Sequence, residues 1–419
     1  MTLSDDQKEA IGQVYFFLLD RDTKDSMILT GSPGTGKSFT TKKIIEQAKQ
    51  MGYNPIVTAT TNKATKVINE FTSVLCTTIH KLLGLVVKTD YKTNTTTIFP
   101  KNIPMIDSNL TNLLIIDEAS FIDSTLFEYI KKAQKDYKLK VLYVGDKNQL
   151  LPINEAYIPV FNNGYLEVRL TTNHRQHSKP DLTALSNEFK DAIEQENYAY
   201  NLIKSSSNVH VLSEQDMLQE IKKNYTNFTQ VNDNKSLAFR NTVVNQYNDY
   251  IRGVFFNKSF PAIGENIVIN KTLITNNVSI PTESILLVIS KSPSTYHNIQ
   301  AELLTVKNMD TGRLFDIKII PDEKVLKAER KRLTNIAYKN RDFSAVIAFN
   351  DGLADIRPVF ASTIHKAQGS TYRNVFIDLY DIFHGNNDLN TIARLLYVAI
   401  SRAKENIYLY GNIPNHLLK

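Results

Sequence analysis

Residues 27–38 read MILTGSPGTGKS, an apolar run followed by a glycine-rich turn that closes on lysine and serine. Met27–Leu29 has strand character and a helical pattern runs from Lys37 to Gln50, so the order is strand, turn, helix. Gly31, Gly34 and Gly36 carry no Cβ, which lets backbone N–H groups curl around phosphate oxygens, with Ser32, Pro33 and Thr35 filling the turn between them. Lys37 brings a positive charge to the β and γ phosphates. Ser38 offers a hydroxyl to Mg²⁺ at a helix start whose dipole favours anions. The stretch predicts an ATP or GTP site on an α/β sheet and leaves kinase, transporter, switch and motor open.

Two further strand ends point to the same site. LLIIDEAS, residues 113–120, sets Asp117 and Glu118 directly after four apolar residues, at the carboxyl edge where open α/β sheets bind ligands. Asp117 is expected to hold Mg²⁺ and Glu118 to orient and deprotonate the attacking water. VLYVGDKNQ, residues 141–149, delivers Gln149 from another apolar strand. Its amide both donates and accepts, which suits a γ-phosphate sensor.

The composition agrees without deciding anything. Lys and Arg exceed Asp and Glu by 49 to 43 in 419 residues, an excess that favours a polyanionic partner. The lone cysteine, Cys76, excludes an intrachain disulfide and a cysteine-rich zinc site. A polar, acidic amino terminus and the lack of any long apolar stretch lead us to expect neither signal peptide nor membrane span, hence an intracellular protein.

Short apolar runs at 55–59, 113–116 and 141–144 alternate with helical patterns at 62–70 and 124–135, as buried parallel strands with covering helices do. Residues 84–109 break that rhythm; the threonine- and lysine-rich KTDYKTNTTTIFPKN reads either as an inserted ribbon or as an exposed loop. A second α/β unit begins near Ser236 and resumes with 357–363, 374–379, a helix through 389–400 and a last strand at 406–410. Between its parts lie strand-like 265–270 and 284–290 and a charged helical stretch at 322–333. The mixed charges of EKVLKAERKR fit a solvated helix better than a nucleic-acid patch.

The ordered segments 31–38, 58–65 (TATTNKAT), 77–83 (TTIHKLL), 117–120, 145–153 (GDKNQLLPI), 170–176 (LTTNHRQ), 361–371 (ASTIHKAQGST) and 397–402 (YVAISR) resemble the superfamily 1 helicases. The resemblance lies with the 5′-to-3′ branch that holds the RecD-like enzymes and the phage Dda type, and runs through most of the chain. It implies two RecA-like P-loop NTPase domains, ATP and Mg²⁺ as cofactors, and 5′-to-3′ movement on single-stranded DNA with unwinding of duplex at a junction. A bacterium or a phage-infected cell is the setting it implies, with replication or recombination proteins as partners left unnamed. On the matching positions it makes Gln7 the adenine reader, Arg175 and Arg402 the phosphate-contacting arginines, Gln368 a bridge from the γ phosphate, and Gly369 the turn beside it. Thr60, Asn62, Thr78, His80, Thr363 and His365 fall on its strand-binding surface, where small hydroxyls and imidazoles bond backbone oxygens without reading sequence. Ser401 and Lys147 stand where relatives commonly have threonine and proline.

The same resemblance divides the chain into a first RecA-like domain (1–83 and 108–178), a pin insertion (84–107), a second RecA-like domain (179–251 and 357–419) and an SH3-like insertion with a helical protrusion (252–356). Phe99, apolar between polar neighbours in TTIFPK, is expected at the pin's tip, a wedge that turns translocation into unwinding. The rival readings are a strand-stimulated ATPase that remodels protein–DNA complexes with little unwinding, and a nucleotide-gated binding module without turnover. RNA as the track stays open, because phosphate-centred contacts discriminate poorly against a 2′-hydroxyl.

Overall fold

The computed structural model describes residues 3–20, 26–72, 74–90, 95–174, 179–225, 233–255, 260–275 and 278–419. The chain opens with α1 (Asp5–Leu19), β1 (Ser26–Gly31), α2 (Lys37–Gln50), β2 (Asn54–Ala59), α3 (Asn62–Thr72), β3 (Cys76–Thr78) and α4 (Ile79–Leu82). A hairpin of β4 (Leu85–Asp90) and β5 (Thr95–Pro100) follows, then β6 (Asn112–Asp117), α5 (Ser124–Asp136), β7 (Lys140–Gly145), β8 (Leu166–Leu170) and α6 (Pro180–Gln195). Next come β9 (Val209–Leu212), α7 (Glu214–Asn224), β10 (Asn234–Ala238) and α8 (Asn241–Phe255). The β-rich stretch holds β11 (Asn266–Ile269), β12 (Leu273–Thr275), β13 (Val278–Ile280), β14 (Ile285–Tyr296), β15 (Ile299–Asn308) and β16 (Leu314–Ile319), then α9 (Glu323–Asn340) and α10 (Ser344–Asp351). The chain closes with β17 (Ile356–Pro358), β18 (Ala361–Thr363), α11 (Ile364–Ala367), β19 (Tyr372–Asp378), α12 (Leu379–Gly385), α13 (Leu389–Ile400) and β20 (Ala403–Tyr410).

Two compact units emerge: Met1–Val211 with Ile364–Val375 and Leu379–Lys419, and Leu212–Thr363 with Phe376–Asp378. The first unit is built on a six-stranded sheet in the order β3-β2-β6-β7-β1-β8, parallel throughout. Its strands alternate between two cores. Met27, Leu29, Leu113, Ile115, Leu142 and Val144 pack toward α1, α2 and α3, while Ile28, Leu114, Ile116, Val141 and Tyr143 face α5. With both faces covered, the central strands β1, β6 and β7 are buried along almost their whole length, which contributes about 1.5–3 kcal/mol for each large aliphatic side chain, and they read as continuous apolar runs.

A second sheet runs β18-β10-β19-β20-β9, with β10 and β18 parallel within the second unit. The same unit holds an antiparallel sheet, β16-β15-β14-β11-β17, and the small β12–β13 pair. Its core takes Ile267, Ile269, Leu286, Val288, Leu304 and Val306 from alternating positions. The sequence expectation of one run over 357–363 is corrected here. Arg357 and Pro358 pair with β11, Ala361 to Thr363 pair with β10, and only the buried Val359 and Phe360 lie between. Pro358 has no N–H to give a ladder, so pairing stops there and restarts in another sheet. Lys235 Nζ donates to the Val359 carbonyl, and Ser236 N (3.1 Å) and Tyr225 Oη (3.0 Å) both donate to that of Phe360.

Within residues 84–109 the described residues include a two-stranded antiparallel ribbon, β4 with β5. β4 and β5 pair antiparallel from Leu85↔Pro100 to Asp90↔Thr95, and residues 91–94 lie outside the described residues. The ribbon's foot is closed at Gly84, whose carbonyl accepts from Lys101 N (2.9 Å) and Asn102 N (3.1 Å). Gly84 has a positive φ of 63°, and a Cβ there would strike the Asn102 carbonyl oxygen. No helix among the described residues is long and apolar enough to cross a membrane.

Candidate active site

Within the first unit, a cavity of about 730 Å³ opens over the glycine-rich turn that joins β1 to α2. Pro33, Gly34, Gly36, Lys37 and Ser38 form its floor. Lys37 Nζ donates to the carbonyls of Gly31 (2.6 Å) and Ser32 (3.2 Å), and Thr35 Oγ1 donates to Ser32 O (2.9 Å), so the turn is tied from inside. Gly36 sits at φ 81°, and a Cβ on it would strike Gln7 Nε2. Glycine is thus required there twice over, by backbone conformation and by space.

One wall is a three-way junction. Gln7, in the first turn of α1, accepts from Ser4 N (3.1 Å) through Oε1 and donates through Nε2 to Thr35 O (3.3 Å), while His174 Nε2 lies 3.4 Å from the same nitrogen. His174 N donates to Gly34 O (2.8 Å). The neighbouring Asp6 carboxylate accepts from Thr171 N (2.8 Å) and Thr172 N (2.9 Å). Burial raises its pKa, but hydrogen bonds from Ser4 and from these two residues more than offset that and hold the carboxyl well below the usual range. The start of α1, the glycine-rich turn and the loop after β8 therefore form one fixed rim.

The opposite wall carries the charge. Asp117 ends β6 and its Oδ1 accepts from Glu118 N (2.9 Å). Burial, then the adjacent Glu118 carboxylate, push Asp117 up, and Lys37 opposes them. Glu118 is left-handed at φ 54°, a conformation that costs a residue with a side chain about 1–3 kcal/mol. Thr60 Oγ1 (3.2 Å) and Phe121 N (3.1 Å) both donate to its carbonyl and hold it there. Gly369, at φ 74°, lies against it; a Cβ there would sit 3.5 Å from Glu118 Oε1.

Gln149 reaches the cavity from the loop after β7 and is buried. Gln368 stands behind it, donating from Nε2 to Gln149 Oε1 at 2.7 Å. Arg402 lines the cavity at 2% exposure. Its guanidinium donates to Val398 O (2.9 Å), Ser370 O (3.0 Å) and Ser401 Oγ (2.8 Å), and burial lowers its pKa against the pull of Glu118. Arg175 lies outside the described residues.

The family model described as an AAA domain matches residues 2–214, over half the chain, and the UvrD-like helicase C-terminal domain matches 358–410. The chain belongs to the AAA-domain family and is a superfamily 1 helicase by its relatives. It groups with the Dda and RecD proteins. The ATP-dependent DNA helicase dda of Enterobacteria phage T4 is 25% identical over 450 residues, covering 97% of this chain and 98% of its own. The ATP-dependent RecD2 DNA helicase of Deinococcus radiodurans is 32% identical over 155 residues, 36% of this chain and 20% of that one. In fold, the chain is similar to a Bacteroides Pif1 helicase solved with ADP-AlF3 and single-stranded DNA, with TM-score 0.56, 18% identity, and coverage of 100% of this chain and 95% of that one. The AAA-domain match implies that this helicase-family chain binds ATP.

Sequence reasoning missed the large apolar side chains of this helicase's cavity, Phe39, Val67 and Phe71. Val67 and Phe71 are 41% and 51% exposed on α3, one helical turn apart, although the buried stripe of that helix is Ala64, Ile68 and Thr72. An apolar pair displaced from the core stripe was the available signal.

The residues expected on the strand-binding surface fall as follows. Thr60, Asn62, Thr78 and His80 belong to the first unit, around α3 and α4, where Thr78 Oγ1 caps α4 by accepting from Lys81 N (3.3 Å). His80 is half-buried, and burial, opposed by Asp123, lowers its pKa. Thr363 ends β18 in the second unit, and His365 lies on α11 in the first. Phe99 is not at the ribbon's tip. It pairs with Val86, one step from the foot, because Pro100 closes β5 there, and its side chain is 38% exposed.

Proposed function

We propose that the protein is an ATP-dependent DNA helicase that moves 5′ to 3′ on single-stranded DNA and unwinds duplex ahead of it. The observation that carries this reading is the joining of Lys37, Asp117, Glu118, Gln149 and Arg402 around one cavity in a chain of this family. Lys37 would neutralise the β and γ phosphates. Glu118 would align and deprotonate the attacking water, Gln149 would sense the γ phosphate through its amide, and Arg402, with Arg175, would meet transition-state charge. Gln7 would read the adenine edge, with Phe39, Val67 and Phe71 as the apolar surface for the flat base.

Mg²⁺ fits the donors present. The Ser38 hydroxyl and the Asp117 carboxylate are hard oxygen ligands, and both residues line the cavity. Bound there, the ion would supply charge neutralisation at the transferred phosphoryl group.

Thr60, Asn62, Thr78, His80, Thr363 and His365 would bond the DNA backbone, giving little sequence preference and strong salt dependence. Residues 84–107 would act as the pin, with Phe99 an apolar surface at its foot, and 252–356 as an SH3-like insertion bearing a helical protrusion. The remaining chain would form the two RecA-like domains, 1–83 with 108–178 and 179–251 with 357–419.

The test is unwinding of duplexes carrying a 5′ or a 3′ single-stranded tail, with ATP, beside Lys37→Ala. Unwinding of the 5′-tailed substrate alone, lost in Lys37→Ala, is expected. Unwinding of only the 3′-tailed substrate refutes the polarity; strand-stimulated ATP hydrolysis with neither substrate unwound refutes the helicase reading in favour of a remodeller.

A further inference from the structure

Helix α13 brings more to the site than the Arg402 that follows it. Four consecutive residues after β7, Asp146 to Gln149, are held by side chains from helices more than forty positions away. Tyr397 Oη donates to Asp146 Oδ2 at 2.7 Å, while Asn148 N donates to the other oxygen at 3.0 Å. Arg394 Nη1 donates to the carbonyls of both Lys147 (2.7 Å) and Gln149 (2.6 Å), and its Nε donates to Asn390 Oδ1 (3.0 Å). Asn148 Nδ2 donates to Glu194 Oε1 (2.7 Å) on α6, a carboxylate also paired with Arg169 at 2.5 Å. All of these residues lie in the first unit.

Loops that carry a catalytic side chain need this kind of support, because a glutamine amide works only when held to a fraction of an ångström. A guanidinium shared between two carbonyls fixes both peptide groups at once, and its charge strengthens each bond. The helix that makes the ties is itself stiff: Leu395 to Ile400 are fully buried, and Asp388 caps the first turn by accepting from Thr391 N (2.9 Å). Its last turn leads directly into Ser401 and Arg402 at the cavity.

We propose that Tyr397 and Arg394 are positioning residues for Gln149, holding the 146–149 loop on α13 so that Gln149 is presented to the nucleotide together with Arg402. The inference rests on the ATP-hydrolysing reading of the cavity. Neither residue lines the cavity; Arg394 acts through the loop, and the Tyr397 hydroxyl, besides holding Asp146, also reaches the Ser32 side chain of the glycine-rich turn.

The test is a mutant cycle measuring kcat and KM for ATP with saturating oligothymidylate. Tyr397→Phe and Arg394→Gln should each lower kcat by about ten- to a hundredfold while moving KM by less than about twofold. Either change added to Gln149→Ala should slow turnover no further than Gln149→Ala alone. Arg394→Lys, which keeps the charge but not the fork, should recover part of the loss and guard against a folding defect. Multiplying effects in the double variants, or a raised KM at unchanged kcat, overturns the positioning role. A wild-type protein that releases no phosphate refutes the underlying ATPase reading instead.

Discussion

The side-chain amide of Gln368 donates to Gln149 Oε1 at 2.7 Å, with both residues buried at 6% and 3% exposure. The bond uses the Gln149 carbonyl and leaves its N–H groups as what it offers the cavity. Gln368→Leu keeps the bulk and removes the donor, stranding a buried acceptor. A loss of about 1–3 kcal/mol is expected. Denaturant unfolding of the two proteins measures it, and coincident midpoints would show that the bond contributes nothing.

Gly36→Ala adds a Cβ at a left-handed position and against Gln7 Nε2. ATP affinity should fall at least about tenfold, since the phosphate-binding turn and its rim cannot both keep their places. Gln7→Ala itself removes the proposed adenine contact, so the comparison is the cost of adding Gly36→Ala to Gln7→Ala: with the collision relieved and the backbone strain left, calorimetric titration should show a smaller cost there than on wild type, a partial recovery. No recovery would assign the whole effect to φ.

Cys76 is buried between β2 and α3, and burial, reinforced by Asp117, pushes its thiol from an ordinary 9.0 up to about 12. The folded protein therefore keeps a proton that the unfolded chain releases above pH 9. The resulting stability is fully present below that pH and is lost as pH rises toward 12, at on the order of 1 kcal/mol per pH unit. Unfolding of wild type and Cys76→Ala at pH 8, 9.5 and 10.5 should diverge in that sense; parallel curves would exclude it. Alkylation of the folded protein at pH 8 should be slow for the same reason.

Gly84→Ala should disturb the ribbon and spare the nucleotide site. The added Cβ meets the Asn102 carbonyl at the ribbon's foot, 63° into positive φ, so the strands must splay where they leave the sheet. Strand-stimulated ATP hydrolysis within about twofold of wild type, with unwinding several-fold slower, is the expected pattern. Equal losses in both would remove the ribbon from the unwinding step.

The first sheet was legible in the sequence because strands covered on both faces read as apolar runs. β8 was not: LEVRL is an edge strand whose outer residues are polar and part-exposed, so nothing marks it as sheet. The turn from Gly31 to Ser38 and the Asp117–Glu118 pair were readable because their chemistry needs fixed spacing over a few residues. Arg394 and Tyr397 were not, since their partners lie about 250 positions earlier and a single arginine or tyrosine on a helix carries no mark of its target. Phe99 was misplaced by reading polarity without register: its neighbours suggested a tip, while Pro100 made it the end of the strand.

The two-residue passage from β17 to β18 has a mechanical meaning. Val359 and Phe360 are buried, and three donors clamp their carbonyls. An element joined this way behaves as a welded bracket rather than a weight on a string. Any displacement of β18 would pass into β17 without slack, so a few glycines spliced in after Pro358 would act as a clutch, leaving each strand paired in its own sheet and uncoupling the two.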